Sequence, residues 1–253
     1  MSSEIVFLNM NLFQLISIAV FALLAGFERA GIRSAVLPVV PFVVKSFGAV
    51  NALGYMIPLL IAGDIFSVSY YRKNAEKKEL IRLLPFAAAG IIFAMIIGGK
   101  ISADTFKKTI GTLIILSLII IFLDQKISNK NPAGRNYRKT GPLFSISTGF
   151  SSMLGGSGGA IISTYFLLTG INKNAFIGTT AWFFFFVNLF KLPLYYFGWK
   201  NIHPYSLLAD LMLMPLLAAG ILTGIFIIKK INEKMFRIFI FIATFLSALI
   251  LFI

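Results

Sequence analysis

The fold of this chain is decided by a stretch that occurs twice, RLLPFAAAGIIFAMIIGGKISADTFKK at residues 82–108 and LMLMPLLAAGILTGIFIIKKINEKMFR at residues 211–237. Both copies carry a proline, a glycine and a phenylalanine in the same order and at the same spacing. Gly90 matches Gly220, an offset of 130 residues. The chain is therefore internally duplicated. Internal duplication in an apolar chain is typical of secondary transporters, which bind cargo near the bilayer midplane between the repeats.

The composition is that of a membrane protein. Of the 253 residues, 58% are hydrophobic and 13% are charged, and the mean hydropathy is +0.90. A soluble domain is nearer half apolar and about a quarter charged. These values exclude a large soluble helical protein and predict an all-α polytopic membrane protein.

The apolar residues form ten segments, five in each half of the chain. In each half the third, fourth and fifth segments approach the roughly 20 residues that a membrane crossing needs. The first two are shorter and glycine-separated, which leaves open two tilted helices or a re-entrant pair. We therefore predict about 8–10 membrane segments, including short broken or re-entrant helices. The ten segments are 12–25, 35–47, 53–71, 83–98 and 110–123, then 143–154, 160–169, 175–197, 207–228 and 236–253.

The net charge of +14 predicts the topology. Basic residues dominate the short loops 72–82 and 229–237, each with a net charge of +3, and the linker, where residues 124–139 carry +4. Short loops rich in lysine and arginine stay in the cytoplasm, so this placement argues against a nucleic-acid partner. Each half then makes an odd number of crossings, and the repeats must be inverted. We predict a first repeat at 1–123, a basic cytoplasmic linker at 124–141 and a second repeat at 142–253, in the cytoplasmic membrane.

Catalytic chemistry has little support in the sequence. There is no cysteine, and the single histidine, His203, stands in a loop. Thiol catalysis, disulfides and multi-histidine metal sites are thereby excluded, and no paired carboxylates occur on facing segments. We expect neither an enzyme nor a cofactor or metal site.

A glycine-rich break in the second half is the most unusual local feature. Gly155, Gly156, Ser157, Gly158 and Gly159 interrupt an apolar run. Such a break frees backbone N–H groups at a half-helix start, where an anion is favoured. The alternative interpretation is close helix packing through small residues.

The matching stretch of the first half adds Arg29 and Arg33. Four residues apart, they could share one helical face and supply positive charge to the same anion. The alternative is that both arginines lie at the membrane surface.

Charged and polar residues inside apolar segments are the other candidates for the site. Asp64 lies deep in the third segment, where a charge costs about 2.5–3.5 kcal/mol and must face the protein interior. Its repeat mate is Asn188, offset by 124 residues, and Lys191 follows one turn later. Asp64 is predicted to pair with Lys191, to carry a proton, or to serve as a static clamp. Thr179 and Thr180 could donate to cargo oxygens or bond back to their own helix.

The second-half residues resemble the GTTxxFFxxxNxxKxPxY stretch of the TauE/SafE family, the sulfite-exporter-like membrane proteins. First-half positions, Gly63-Asp64 among them, are similar to the family's counterpart, and the resemblance runs from about residue 26 to 253. The related branch carries a histidine and prolines where this chain has Gly156, Ala160 and Ile161. The resemblance implies transport of a small sulfur-containing anion. The residues that carry it are Gly178, Thr179, Thr180, Phe183, Phe184, Asn188, Lys191, Pro193 and Tyr195.

Together these features predict a secondary transporter of a small anion, a sulfur oxyanion or organosulfonate, working by alternating access. An anion channel, a transporter of a non-sulfur organic anion and a scaffolding protein are the alternatives. The expected partners are the small anionic substrate and membrane lipid, and a homodimer is among the assemblies left open. The predicted substrate-binding residues are Gly155, Gly156, Ser157, Gly158, Gly159, Thr179, Thr180, Asn188, Lys191, Arg29 and Arg33.

Overall fold

The computed structural model describes residues 10–33, 35–97, 111–112, 114–115, 118–119, 137–154, 158–202 and 204–250. In this part of the chain all regular structure is helical, as predicted. The first half contributes α1 (Leu12–Arg29), α2 (Val40–Phe47), α3 (Ala49–Tyr71) and α4 (Lys77–Ile97). The second contributes α5 (Gly141–Leu154), α6 (Gly158–Thr169), α7 (Lys173–Pro193), α8 (Pro204–Lys230) and α9 (Glu233–Ile250). Most of the predicted fifth segment and of the linker lies outside the described residues.

Local sequence explains where several helices begin and end. Asn11 caps α1 through a capping box, in which Gln14 N donates to Asn11 Oδ1 at 2.8 Å and Asn11 N donates to Gln14 Oε1 at 2.9 Å. Asn172 caps α7 in the same way by accepting from Ala175 N at 2.9 Å. At its other end, α7 widens after Pro193 into a π-helical stretch, Leu194–Trp199. This is the helix disruption expected of a proline, which lacks the N–H that continues the ladder.

Five of the helices in the described residues are long and apolar enough to cross a membrane. By length and composition these spans agree with the predicted crossings of α3, α4, α7 and α8. One expectation is corrected, because α1 continues through Gly26 to Arg29 and is longer than the predicted first segment. The predicted last segment, 236–253, runs beyond the described part of α9 and stays a prediction.

The side chains of the helices are distributed differently from those of a soluble protein. Large apolar side chains cover the outside, such as Ile81 (75% exposed) and Leu211 (63%). Polar and charged side chains, including Asp64, Asn188 and Lys191, are buried. An apolar surface of this extent requires a lipid solvent.

The two halves pack through equivalent elements. Helix α1 lies against α8, α5 lies against α4, and α3 contacts α7. Gly90 and Gly220 have equivalent neighbours, because a β-carbon at Gly90 would meet the carbonyl oxygen of Ile146, and one at Gly220 would meet that of Leu23. This is the pairing that two repeats about a pseudo-two-fold axis produce. Their inversion across the membrane stays a prediction.

Replacing Gly220 by valine is expected to destabilise the fold by about 1–3 kcal/mol, the usual cost of overpacking. The backbones of α1 and α8 cross at this point, and neither can move away from a new methyl group. Ala219→Val is the matched control, because Ala219 is exposed on the same helix. A thermal unfolding midpoint in detergent that falls equally for both variants would contradict the close crossing.

Candidate functional site

Asp64 is the centre of a polar cluster where α1, α3 and α7 meet. Its side chain is fully buried, and its Oδ1 forms an ion pair with Arg29 Nε at 2.6 Å. Asn188 Nδ2 donates to Asp64 Oδ2 at 2.6 Å, so the two repeat mates contact each other directly. The predicted pair between Asp64 and Lys191 is not formed, because Arg29 occupies that position.

Lys191 points instead to the end of α5. Its Nζ donates to the Ser152 carbonyl oxygen at 3.1 Å and lies 2.9 Å from Ser152 Oγ. The Tyr195 ring lies 5.9 Å from the ammonium nitrogen, and the Tyr195 hydroxyl donates to the Met153 carbonyl at 2.7 Å. The ammonium group is thus held next to the glycine-rich break.

The break itself is described only in part. Gly155, Gly156 and Ser157 lie outside the described residues, while Gly158 and Gly159 are buried at the start of α6. A β-carbon at Gly158 would lie 2.9 Å from the Thr148 carbonyl oxygen. For Gly158 the structure therefore supports the close-packing interpretation, and the anion cradle stays a prediction.

Arg29 and Arg33 do not share a helical face. Helix α1 ends at Arg29, and the chain turns at Gly31, whose φ is +119°. Ser67 Oγ and the Tyr71 hydroxyl hold this turn by donating to the carbonyls of Arg29 and Ala30, at 2.6 and 3.0 Å. The turn brings both guanidinium groups to the Phe184 ring, Arg29 at 5.8 Å and Arg33 at 5.3 Å from its centroid. Both arginines are buried within the protein.

The Arg33 guanidinium has unused hydrogen-bonding capacity. One nitrogen donates to Thr180 Oγ1 at 2.6 Å. Its Nε and Nη1 are buried and have no hydrogen-bond partner in the structure. Buried donors are nearly always paired, so the orphaned N–H groups mark a place where an acceptor is missing.

The two threonines are engaged by the protein. Thr179 Oγ1 accepts from Glu76 N at 2.9 Å, which ties α7 to the loop before α4. Thr180 Oγ1 accepts from Arg33 and lies 2.8 and 3.0 Å from the carbonyls of Phe176 and Ile177. Thr180 therefore bonds back to its own helix, one of the two predicted alternatives, and positions Arg33.

A small cavity of about 40 Å³ lies between Arg29 and Lys191. A cavity needs about 10–15 Å³ of such space to hold one water, so this one has room for a few waters or one small anion. Two cationic side chains line it, Arg29 and Lys191, against the carboxylate of Glu28. Arg33 and Asp64 are buried beside this lining. Among the described residues, one positive charge is thus unbalanced. The lining residues are Phe21, Glu28, Arg29, Val36, Val40, Leu53, Met56, Ile57, Leu60, Ser152, Phe184, Asn188, Lys191 and Tyr195.

Residues 12–251 match the family described as sulfite exporter TauE/SafE. The chain belongs to the TauE/SafE family. Neither a curated protein nor a solved structure matches it. TauE/SafE proteins are membrane transporters, which supports at the family level the expectation that the chain is not an enzyme.

The TauE/SafE stretch of the second half accounts for much of the site. It lies on α7 and the π-helical turn, and it supplies Phe184, Asn188, Lys191 and Tyr195 to the cavity. These side chains recur at intervals of three to four residues, so one face of the helix presents all of them. The helix face that carries the family motif therefore also forms one wall of the cavity.

Sequence reasoning missed Glu28, Ser152 and Asp210. Glu28 lines the cavity and binds Arg29 Nη1 at 3.3 Å, and Ser152 accepts from Lys191. Asp210 is a buried carboxylate on α8 whose two oxygens have no hydrogen-bond partner in the structure. The signal that singled out Asp64, a charge inside an apolar run, would have found Asp210. No comparable signal existed for Ser152.

Proposed function

We propose that this TauE/SafE protein moves a small oxyanion across the cytoplasmic membrane through the cavity between Arg29 and Lys191. The observation that carries the proposal is the unbalanced positive charge among the buried groups around that cavity. An uncompensated charge in a low-dielectric interior is costly. A bound anion would neutralise it, and sulfite or an organosulfonate, the cargo class that the family implies, has the required charge and size.

The residues of the site divide into those that contact the anion and those that position them. Lys191 has a proton donor left after its contacts to Ser152, and it is the primary ligand in this proposal. Asp64 and Asn188 hold Arg29 in place. Arg33, held by Thr180, lies outside the lining of the cavity and adds positive charge beside it. Thr179 is a structural tie rather than a ligand.

Alternating access is supported by where the cavity lies. Its lining comes from α1 and α3 of the first repeat and from α5 and α7 of the second. Rocking one repeat against the other would therefore open the cavity to either side in turn. A channel would instead need a continuous pore, whereas this cavity measures about 40 Å³.

The proposal is tested by anion-dependent stability of the purified protein. A ligand at a hundred times its Kd stabilises the folded state by about 2.7 kcal/mol. We expect sulfite, taurine or sulfoacetate to raise the melting midpoint of the wild type, and Lys191→Met to abolish that rise. Lys234→Met is the matched control, because it removes the same charge from an exposed position on α9. An equal shift in wild type and Lys191→Met would exclude this cavity as the site.

The transport mode needs a separate measurement. Liposomes with an imposed membrane potential or proton gradient should accumulate the stabilising anion with a rate that saturates. Flux that stays linear in anion concentration and stops at the electrochemical equilibrium of the anion would identify a channel instead.

A further inference from the structure

A second concave surface lies on the outside of the protein, between α4 and α7, away from the cavity of the proposed transport site. We name it the α4–α7 groove, and its widest part measures about 730 Å³. Its rim is basic and its walls are apolar and aromatic. The residues that line this part are Arg72, Lys73, Ala75, Lys77, Leu80, Ile81, Leu84, Trp182 and Phe186.

The groove continues along the two helices away from its basic rim. A second hollow of about 210 Å³ shares Leu84 and Phe186 with the first and extends to Ile91 and Phe190. At 1.5 Å per residue, the rise from Lys77 to Ile91 is about 21 Å. One leaflet contributes about half of a hydrocarbon core of roughly 30 Å. The groove is therefore long enough for a headgroup and one acyl chain of a single leaflet.

The rim carries a net positive charge. Arg72, Lys73 and Lys77 are exposed, and they form no ion pair within the part of the chain that the structure describes. Of the two nearby acids, Glu79 is buried and accepts from the Tyr165 hydroxyl at 2.8 Å, so it does not neutralise the rim. Among the described residues, Glu76 is the one exposed acid next to the three cations. The rim is thus a site for a negatively charged group.

The aromatic wall lies where a membrane interface would be. Trp182 and Phe186 stack with ring centroids 5.6 Å apart and an interplanar angle of 24°. Tryptophan is enriched at headgroup level, and Trp182 lies next to the three cations. The apolar part of the groove begins below it, at Leu84.

We propose that the α4–α7 groove binds an anionic phospholipid. The phosphate contacts Arg72, Lys73 and Lys77, and one acyl chain lies along Leu84, Phe186 and Phe190. The predicted topology places this loop on the cytoplasmic side, where anionic lipid attracts basic residues near the membrane surface. A second copy of this chain is a poor occupant, because it too carries a charge of +14, and a symmetric contact would bring the two basic rims together.

Quenching of Trp182 tests this proposal directly. The chain has two tryptophans, so Trp199→Phe leaves Trp182 as the sole reporter, inside the groove. The protein is reconstituted in bilayers of phosphatidylcholine and phosphatidylglycerol, with brominated acyl chains on one lipid at a time. Each cation near the surface contributes about fivefold in partitioning. We expect the groove next to Trp182 to prefer phosphatidylglycerol over phosphatidylcholine by at least about tenfold.

In the variant Arg72→Gln/Lys73→Gln/Lys77→Gln, the ratio by which phosphatidylglycerol is preferred over phosphatidylcholine should fall close to one. The matched control, Lys200→Gln/Lys230→Gln/Lys234→Gln, lowers the net charge equally and should keep it. Ile81→Phe in the Trp182-only background, placed in the groove where Ile81 is 75% exposed, should block the acyl chain without removing charge or adding a second tryptophan. Its expected effect is equal quenching by both lipids at reduced strength, which keeps the test valid if the triple variant fails to fold.

Three outcomes would overturn the proposal. One is an absence of lipid preference in the wild type. Another is a preference that the triple variant and the control lose to the same extent. The third is protection of Trp182 from both lipids together with a dimer by mass, which would assign the groove to a second copy. Displacement of the lipid by glycerophosphoglycerol, a soluble headgroup, would reduce the site to a phosphate site without an acyl-chain contact.

Discussion

Asp64→Ala is expected to destabilise the protein by about 3–5 kcal/mol, the cost of removing one partner from a buried ion pair. The substitution removes the shortest charged contact of the buried Arg29, which keeps only the longer contacts to Glu28 at 3.3 Å and to the Leu60 carbonyl at 3.4 Å. It also takes the acceptor away from Asn188 Nδ2. Unfolding in mixed micelles with increasing denaturing detergent measures the loss. The same variant should lose transport, because Arg29 lines the cavity and Asp64 holds it there.

The double variant Arg29→Met/Asp64→Leu is the control for this result. Replacing both members of a buried pair by apolar residues is often neutral or stabilising, so the double variant should recover much of the lost stability. It should not recover transport. A double variant that transports the anion would show that the pair is a scaffold clamp only. A single variant with unchanged stability would contradict the pairing of Asp64 with Arg29.

Arg33→Met is expected to raise the thermal stability of the protein and to lower its affinity for the anion. The two unpaired nitrogens of Arg33, Nε and Nη1, lower the stability of the ligand-free protein, because unpaired buried donors carry a desolvation penalty of about 1–3 kcal/mol. The ligand-free variant should therefore melt at a higher temperature than the wild type. Anion affinity should fall roughly 10–100-fold, since the variant removes a buried positive charge beside the cavity, whose attraction for an anion several ångströms away is about 2–3 kcal/mol at an effective dielectric constant of about 20.

Arg33→Lys is the matched control, because it keeps the charge but loses the forked arrangement of donors. It should retain part of the anion affinity. Thr180 remains satisfied in either variant through the carbonyls of Phe176 and Ile177, so a loss of its bond to Arg33 does not confuse the measurement. A lower melting temperature with unchanged anion affinity would make Arg33 a structural residue.

The helical layout was predictable because it depends on local and repeated features. Hydrophobic stretches of membrane length predict helices directly, and α3, α4, α7 and α8 follow the predicted segments to within a few residues at most ends. The repeat also identified Asp64 and Asn188 as equivalent positions, and the structure places the two side chains in hydrogen-bond contact. The error in α1 has a physical cause as well. The predicted apolar segment ended at residue 25, before Gly26, but α1 continues through this glycine, which serves a close crossing with α8 near Leu217 and Gly220.

The sequence by itself determined the class of protein, the positions of its helices, its family and the charged residues that must face its interior. These properties follow from hydrophobicity, from the placement of proline and glycine, and from the cost of a charge in lipid. Each of these effects acts within one segment or recurs in both repeats. Only the tertiary structure decided which buried charges meet. The turn at Gly31 carries Arg29 to Asp64 and Arg33 to Thr180, and Lys191 is left facing Ser152. The α4–α7 groove likewise exists only once two distant helices pack side by side. Pairing of this kind depends on the rotation and depth of each helix against its neighbours, which packing sets and a linear pattern does not contain.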